Sequence, residues 1–236
     1  MRRFQTTRWS VVLAARDGHR VEADEALASL CEAYWYPLYA FVRRKGHDAE
    51  HAEDLVQGFF AQLLEKRSLM SVVREKGKFR SFLMASCAHY LANQADYALA
   101  RKRGGGRALI SIDRAKAEGR YDCEPAHGLT AERLFERQWT MALLDQVLTA
   151  LETEMDTAGK SRQFAALRPA LLGSADRMPY ADAATMLGIS EEAARAAASR
   201  LRKRYRELLR EEVARTLEDL ADVDGEIRAL FSALGG

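Results

Sequence analysis

Apolar residues recur along this chain at spacings of three and four. Between positions 52 and 64 they fall at Ala52, Leu55, Val56, Phe59, Phe60, Leu63 and Leu64, one continuous helical stripe. Asp48 is placed to cap that helix, and Glu50 suits its first turn. A second stripe runs through Phe79, Phe82, Leu83, Ser86, Cys87, Tyr90 and Leu91. It stops at Arg101-Lys102-Arg103 and then Gly104-Gly105-Gly106, cations followed by glycine being a helix terminator. A third, over about residues 26–44, carries Leu27, Leu30, Cys31, Tyr34, Leu38, Phe41 and Val42 on one side, and Pro37 is expected to kink it. From Gly104 to about Thr130 the period fades among glycines and Pro125, which reads as a linker. Beyond it the spacing predicts helices over about 131–155, 161–172, 180–187 and 191–215. No run of strict alternation suggests a sheet. The pattern predicts an all-α chain of two small helical domains, 1–106 and 131–215, joined by a linker over 107–130. The second domain carries a helix-turn-helix. An extension over 216–236 follows, amphipathic through Ile227, Leu230, Phe231 and Leu234.

Charge changes the picture once it is divided along the chain. The 36 Lys and Arg against 34 Asp and Glu leave only +2, which argues against a nucleic-acid binder. Segment 74–107, however, has eight basic and two acidic residues, and 191–210 has seven and three. Segment 46–66 has five acidic and one basic, and the tail 211–236 has seven and two. Two basic patches, an acidic face and an acidic tail suggest several macromolecular contacts of differing sign. The longest stretch without a charged residue, 81–95, is 15 residues, too short for a typical membrane span, and no apolar leader follows Met1. A cytoplasmic protein without membrane contact is expected. Cys31, Cys87 and Cys123 form no CxxC pair, so neither a disulfide framework nor a cysteine zinc site is expected.

Three segments carry candidate chemistry. Residues 180–195 read as a helix, a turn at Gly188-Ile189-Ser190, and a second helix. Gly188 supplies a positive φ, Ala184 lets the helices approach, Leu187 and Ile189 pin the turn to the core, and Ser190 caps the second helix. The second helix presents Ser190, Glu192, Arg195 and Ser199 from its early turns, where a recognition helix reads base edges. Arg200, Lys203 and Arg204 follow as phosphate contacts. In the second segment Lys78, Arg80, His89, Asn93, Tyr97, Arg101 and Arg103 mix cations with polar and aromatic groups, a composition suited to unpaired bases and their phosphates. The third is the polar face of the 52–64 helix, Glu50, Glu53, Asp54, Gln57 and Ala61, which fits a basic protein surface.

An enzyme reading competes. His47-Asp48-Ala49-Glu50-His51 matches H-x-x-E-H, a zinc-peptidase pattern. Gly46 and Asp48 mark a helix start that leaves His47 outside the helix, so no metal ligand, catalytic residue or cofactor is assigned. A helix-turn-helix regulator binding DNA unaided is a second alternative.

Taken in order, these segments resemble bacterial extracytoplasmic-function sigma factors, the small two-domain members of the main sigma family. The resemblance runs from Thr6-Thr7-Arg8-Trp9-Ser10 to about Arg215 and includes the aromatic-proline helix Tyr34–Arg44. Ala52-Glu53-Asp54-Leu55-Val56-Gln57 is similar to the helix that docks on the polymerase. Phe79-Arg80-Ser81-Phe82-Leu83 is similar to the start of the helix that melts and reads the −10 element. The helix-turn-helix is similar to the domain that reads the −35 element. The resemblance implies a non-enzymatic protein whose partners are core RNA polymerase and promoter DNA, duplex at −35 and single-stranded at −10. It allows an anti-sigma or other regulator, and needs no small-molecule substrate. The sequence departs from the family's usual residues at Gly58, Phe82 and His89, and in the alanines at 194 and 196–198.

Overall fold

The structure is a computed structural model that describes residues 34–65, 79–100, 114–124, 128–172, 180–217 and 219–235. The fold is all-helical, with no strand among the described residues. We number the helices α1 (residues 34–44), α2 (Ala49–Glu65), α3 (Phe79–Ala100), α4 (Arg114–Asp122) and α5 (Ala131–Thr157). There follow α6 (Ser161–Leu167), α7 (Pro169–Leu172), α8 (Tyr180–Leu187), α9 (Glu191–Arg215), a 3-10 turn at Leu220–Asp222, and α10 (Val223–Leu234). Among the described residues no helix is long and apolar enough to cross a membrane.

The described residues fall into two compact units. One holds those up to Ala142 together with those from Val213 onward, and the other holds Leu143–Glu212. The aromatic residues of the α1, α3 and α5 stripes form the core of the first unit. Tyr34 stacks on Trp139 with centroids 3.8 Å apart and planes 8° apart, and Phe79 lies 5.6 Å from Tyr34. Trp35 stacks on Tyr39, and Phe135 meets Phe41 edge-on. Burying each such side chain stabilises by roughly 1.5–3 kcal/mol, so this cluster outweighs the polar contacts at its rim. Pro37 is accommodated in helical residues 34–44; residues 26–33 of the expected helix lie outside the described ones.

The second unit buries Val147, Leu148 and Leu151 of α5, Phe164 and Leu167 of α6, and Ala183 and Ala184 of α8. From α9 it buries Ala194, Ala197, Ala198 and Leu201. Ala194, Ala197 and Ala198 are therefore core positions, whereas Ala196 is exposed. The helix expected over 161–172 is two helices. Pro169 has no N–H to continue the α6 ladder, and Arg168 closes α6 by bonding back to Phe164 O at 2.8 Å.

The segment read as a linker contains α4, which belongs to the first unit. Its buried apolar residue is Ala117, so polar contacts hold it. Glu118 accepts from the Tyr39 hydroxyl and takes a two-pronged bond from Arg43, both prongs 2.9 Å. Burial, and then Glu118 beside it, push the Tyr39 phenol far above its ordinary range. The Arg120 guanidinium lies 3.8 Å over the Tyr36 ring and donates to Gln138 at 2.9 Å.

The C-terminal extension is helical, as expected, but its inner face differs. Val223, Glu226 and Leu230 are buried, whereas Phe231 is 48% exposed. A carboxylate takes the place of part of the expected apolar stripe because it meets Arg80, 2.8 Å away.

Candidate functional site

The docking-candidate helix begins as its sequence dictates. Asp48 accepts the His51 backbone N–H at 2.9 Å, and its second oxygen meets the His51 ring at 2.7 Å. These bonds hold the Asp48 carboxyl below its ordinary range, and Asp48 in turn raises the His51 imidazole. His47 precedes α2, while His51 is held by Asp48. Among the described residues no three His, Cys, Asp or Glu side chains converge as a metal site. Glu50 and Asp54 are exposed, whereas Glu53, Gln57 and Ala61 are half-buried. Gln57 Nε2 donates to Glu53 at 3.3 Å, so the polar face is tied together along the helix.

Between α2 and α3 an open cleft of about 350 Å³ is lined by Phe59, Gln62, Phe82, Ser86, His89 and Tyr90. Phe59 and Tyr90 are buried at its wall with ring centroids 5.8 Å apart, and Phe82 is half-buried. His89 stands exposed at the same cleft. Aromatic walls with a few polar groups suit a planar ring with hydrogen-bonding edges. Burial pushes the Tyr90 phenol above its ordinary value, so it remains a neutral hydroxyl.

Gly58 positions this wall. A Cβ there would stand 2.4 Å from the Tyr90 hydroxyl oxygen and 3.5 Å from its Cζ. The mid-helix glycine thus makes room for a residue of its own unit. Gly58→Ala is expected to destabilise the protein by about 1–3 kcal/mol despite alanine's better helix propensity. In a Tyr90→Phe background, which removes the clashing oxygen, most of that loss should disappear. Urea denaturation of the two single variants and the double variant reads the coupling; additive losses would contradict the contact.

The structure separates the residues expected to meet −10 DNA. His89 and Asn93 are exposed on α3. Arg80 is not: its side chain is 8% exposed and its guanidinium pairs with Glu226 and Glu136. An exposed phosphate contact at Arg80 is therefore corrected to a buried ion pair, formed because a carboxylate from the C-terminal helix reaches it. Lys78, Arg101 and Arg103 lie outside the described residues, as does the Tyr97 side chain.

In the second unit α8 and α9 are joined by a turn in which Gly188 has φ +67°. Gly188 N–H bonds Thr185 O at 3.3 Å and Ile189 N–H bonds Ala184 O at 3.1 Å, closing α8. Ser190 Oγ accepts the Ala193 N–H at 3.2 Å, the expected cap. Ile189, expected to pin the turn, is 38% exposed; Ala184 is buried instead, with Arg202 donating to the Tyr180 hydroxyl and Arg162 to Met186 O. Gly188→Ala should cost about 1–2 kcal/mol, because only glycine accepts this φ without strain. A thermal melt would check it, and an unchanged midpoint would show that the turn does not need the left-handed conformation.

Ser190, Glu192, Arg195, Ser199, Arg200 and Lys203 are all exposed. Arg195 pairs with Glu191 at 2.5 Å and lies 5.8 Å over the Tyr180 ring, while Lys203 reaches Glu207 at 4.0 Å. Arg204 differs: it bonds Glu154 at 2.7 and 2.9 Å, Glu211 at 3.1 Å and Glu207 at 3.4 Å. Glu154 foremost raises the Arg204 pKa, and Arg204 lowers that of Glu154. Arg204 therefore fastens α9 to α5 inside this unit.

The apolar stripe assigned Phe79, Phe82 and Tyr90 to the core; Phe82 and Tyr90 also line the cleft, and Gln62 and Ser86 were overlooked as cleft groups. The available signal was positional: Phe82, Ser86 and His89 lie one helical turn apart along one side of α3. Compared with family models, curated proteins and solved structures, the chain matches none.

Proposed function

We propose that the protein is a sigma factor that binds core RNA polymerase and directs it to promoters. The observation that carries this reading is the α8–α9 pair. A left-handed glycine turn and a serine cap launch a helix whose exposed side chains include Ser190, Glu192, Arg195, Ser199, Arg200 and Lys203. Such a helix fits a major groove, with its first turns toward base edges and its later cations toward phosphates. The cleft between α2 and α3 supports the −10 half of the reading. Its aromatic walls suit a base unstacked from the non-template strand, with His89 at the cleft and Asn93 exposed further along the same helix. The α2 face, with Glu50 and Asp54 outermost, would dock on a basic polymerase surface. The protein performs no covalent chemistry in this account and needs no cofactor.

A net charge of +2 with an acidic tail gives little counterion release for the protein alone. The experiment is a gel shift on promoter DNA with the protein alone and with core polymerase. The account expects a poor shift alone and salt-sensitive open complexes with core. Tight, specific binding by the protein alone, with no core retained in a pull-down, would instead establish an independent helix-turn-helix regulator.

A further inference from the structure

Arg80 and Glu226 are 146 positions apart in the chain and form a buried ion pair. Arg80 Nε lies 2.8 Å from Glu226 Oε1, with its N–H turned off the line, so this is an ion-pair contact and not a hydrogen bond. Arg80 Nη2 donates to Glu226 Oε2 at 3.3 Å, and Nη1 donates to Glu136 at 3.1 Å. The Glu226 side chain is 2% exposed. Burying such a pair contributes little net stability, and an apolar residue would fasten a helix as well or better. The apolar anchorage of α10 is small: Val223 and Leu230 are buried, but Phe231 is 48% exposed and Leu220 of the preceding turn 69%. Thr140 Oγ1 reaches Leu230 O only at 3.5 Å. A weak apolar grip combined with a charge-specific contact describes a fastening that can be undone by a competing anion.

We propose that α10 is an autoinhibitory strap whose Glu226 carboxylate occupies Arg80 in place of a nucleic-acid phosphate, and that phosphate binding to Arg80 releases it. A guanidinium fork accepts either a carboxylate or a phosphate, and here Glu226 takes one hydrogen bond and one close ion-pair contact, so a phosphate can replace it at the same edge of Arg80. The inference rests on the proposed DNA-binding role of α3.

The full-length protein and a fluorescent single-stranded oligonucleotide of mixed sequence provide the test, read by anisotropy. Glu226→Gln is expected to bind about threefold to tenfold more tightly than the parent, because Arg80, then paired with Glu136 alone, neutralises one more phosphate. Adding Arg80→Gln should abolish the improvement. Asp122→Asn removes the same charge from an exposed position and should change nothing. Leu230→Ala, which touches no charge, should reproduce the tighter binding and keeps the test alive if Glu226→Gln fails to fold. Saturating oligonucleotide should also speed amide exchange within Val223–Leu234 of the parent. Equal affinities in folded variants, tighter binding that survives Arg80→Gln, or the same improvement from Asp122→Asn would overturn the strap. Core-dependent transcription reads the sigma assignment separately. Tighter oligonucleotide binding without transcription would sink that assignment and leave the strap standing; transcription with unchanged oligonucleotide affinity would do the reverse.

Discussion

Replacing Trp139 with alanine is expected to destabilise the first unit by about 3–5 kcal/mol, enough to unfold a marginal domain at physiological temperature. Trp139 is 3% exposed and is where the stripes of three helices meet. It stacks on Tyr34 at 3.8 Å and packs against Phe79 at 6.4 Å and Phe135 at 5.9 Å. Truncation loses its transfer free energy and leaves a void bounded by rings too large and rigid to collapse into it. Met141, two residues on in the same helix, is 37% exposed, and Met141→Ala should stay within about 0.5 kcal/mol of the parent. Urea denaturation of both variants checks the contrast. Similar small losses in both would mean that the aromatic cluster is not the core of this unit.

The second large effect lies in DNA binding. Arg200 and Lys203 are exposed on α9, where the proposal gives them phosphate contacts. Each such contact lowers the salt slope of the logarithm of the affinity by about 0.9 when lost, which at ~0.15 M salt is worth about fivefold. Arg200→Ala with Lys203→Ala should therefore weaken the polymerase–promoter complex by about thirtyfold and lower the slope by about 1.8, whatever the promoter sequence. Arg204→Ala should behave differently, although the same sequence pattern suggested a phosphate contact for it. Its guanidinium is committed to Glu154, Glu207 and Glu211, so its loss should lower stability and leave the slope nearly unchanged. Filter-binding titrations over a range of salt distinguish the two outcomes. Equal slopes for the parent and the double variant would remove α9 from the DNA interface.

The helices were legible because their signals are local. Apolar spacing located α2, α3, α8 and α9, Asp48 and Ser190 announced their caps, and Gly188 announced its turn. What was hidden depends on partners distant in sequence. Arg80 reads as a surface cation until Glu226, 146 positions later, is brought to it. Helix α4 has little apolar content and buries Ala117, so no period reveals it; Glu118 finds Tyr39 and Arg43 some 75 to 79 positions earlier. Gly58 stands in the sequence only as an unusual mid-helix glycine, yet the group beside it is the Tyr90 hydroxyl of the facing helix. The cleft was half-legible for the same reason. Its residues lie on the predicted stripes, but a stripe does not say where two helices diverge enough to leave an opening between Phe59 and Phe82.

The central claim is that this chain confers promoter selection on RNA polymerase. Runoff transcription with purified core polymerase over genomic DNA fragments, followed by mapping of start sites, tests it most directly. The account predicts transcripts that require both components, begin at a small set of sites sharing an upstream sequence, and fall sharply with Arg200→Ala and Lys203→Ala. Transcription indifferent to the protein, or no core-dependent transcript from any fragment, would contradict it.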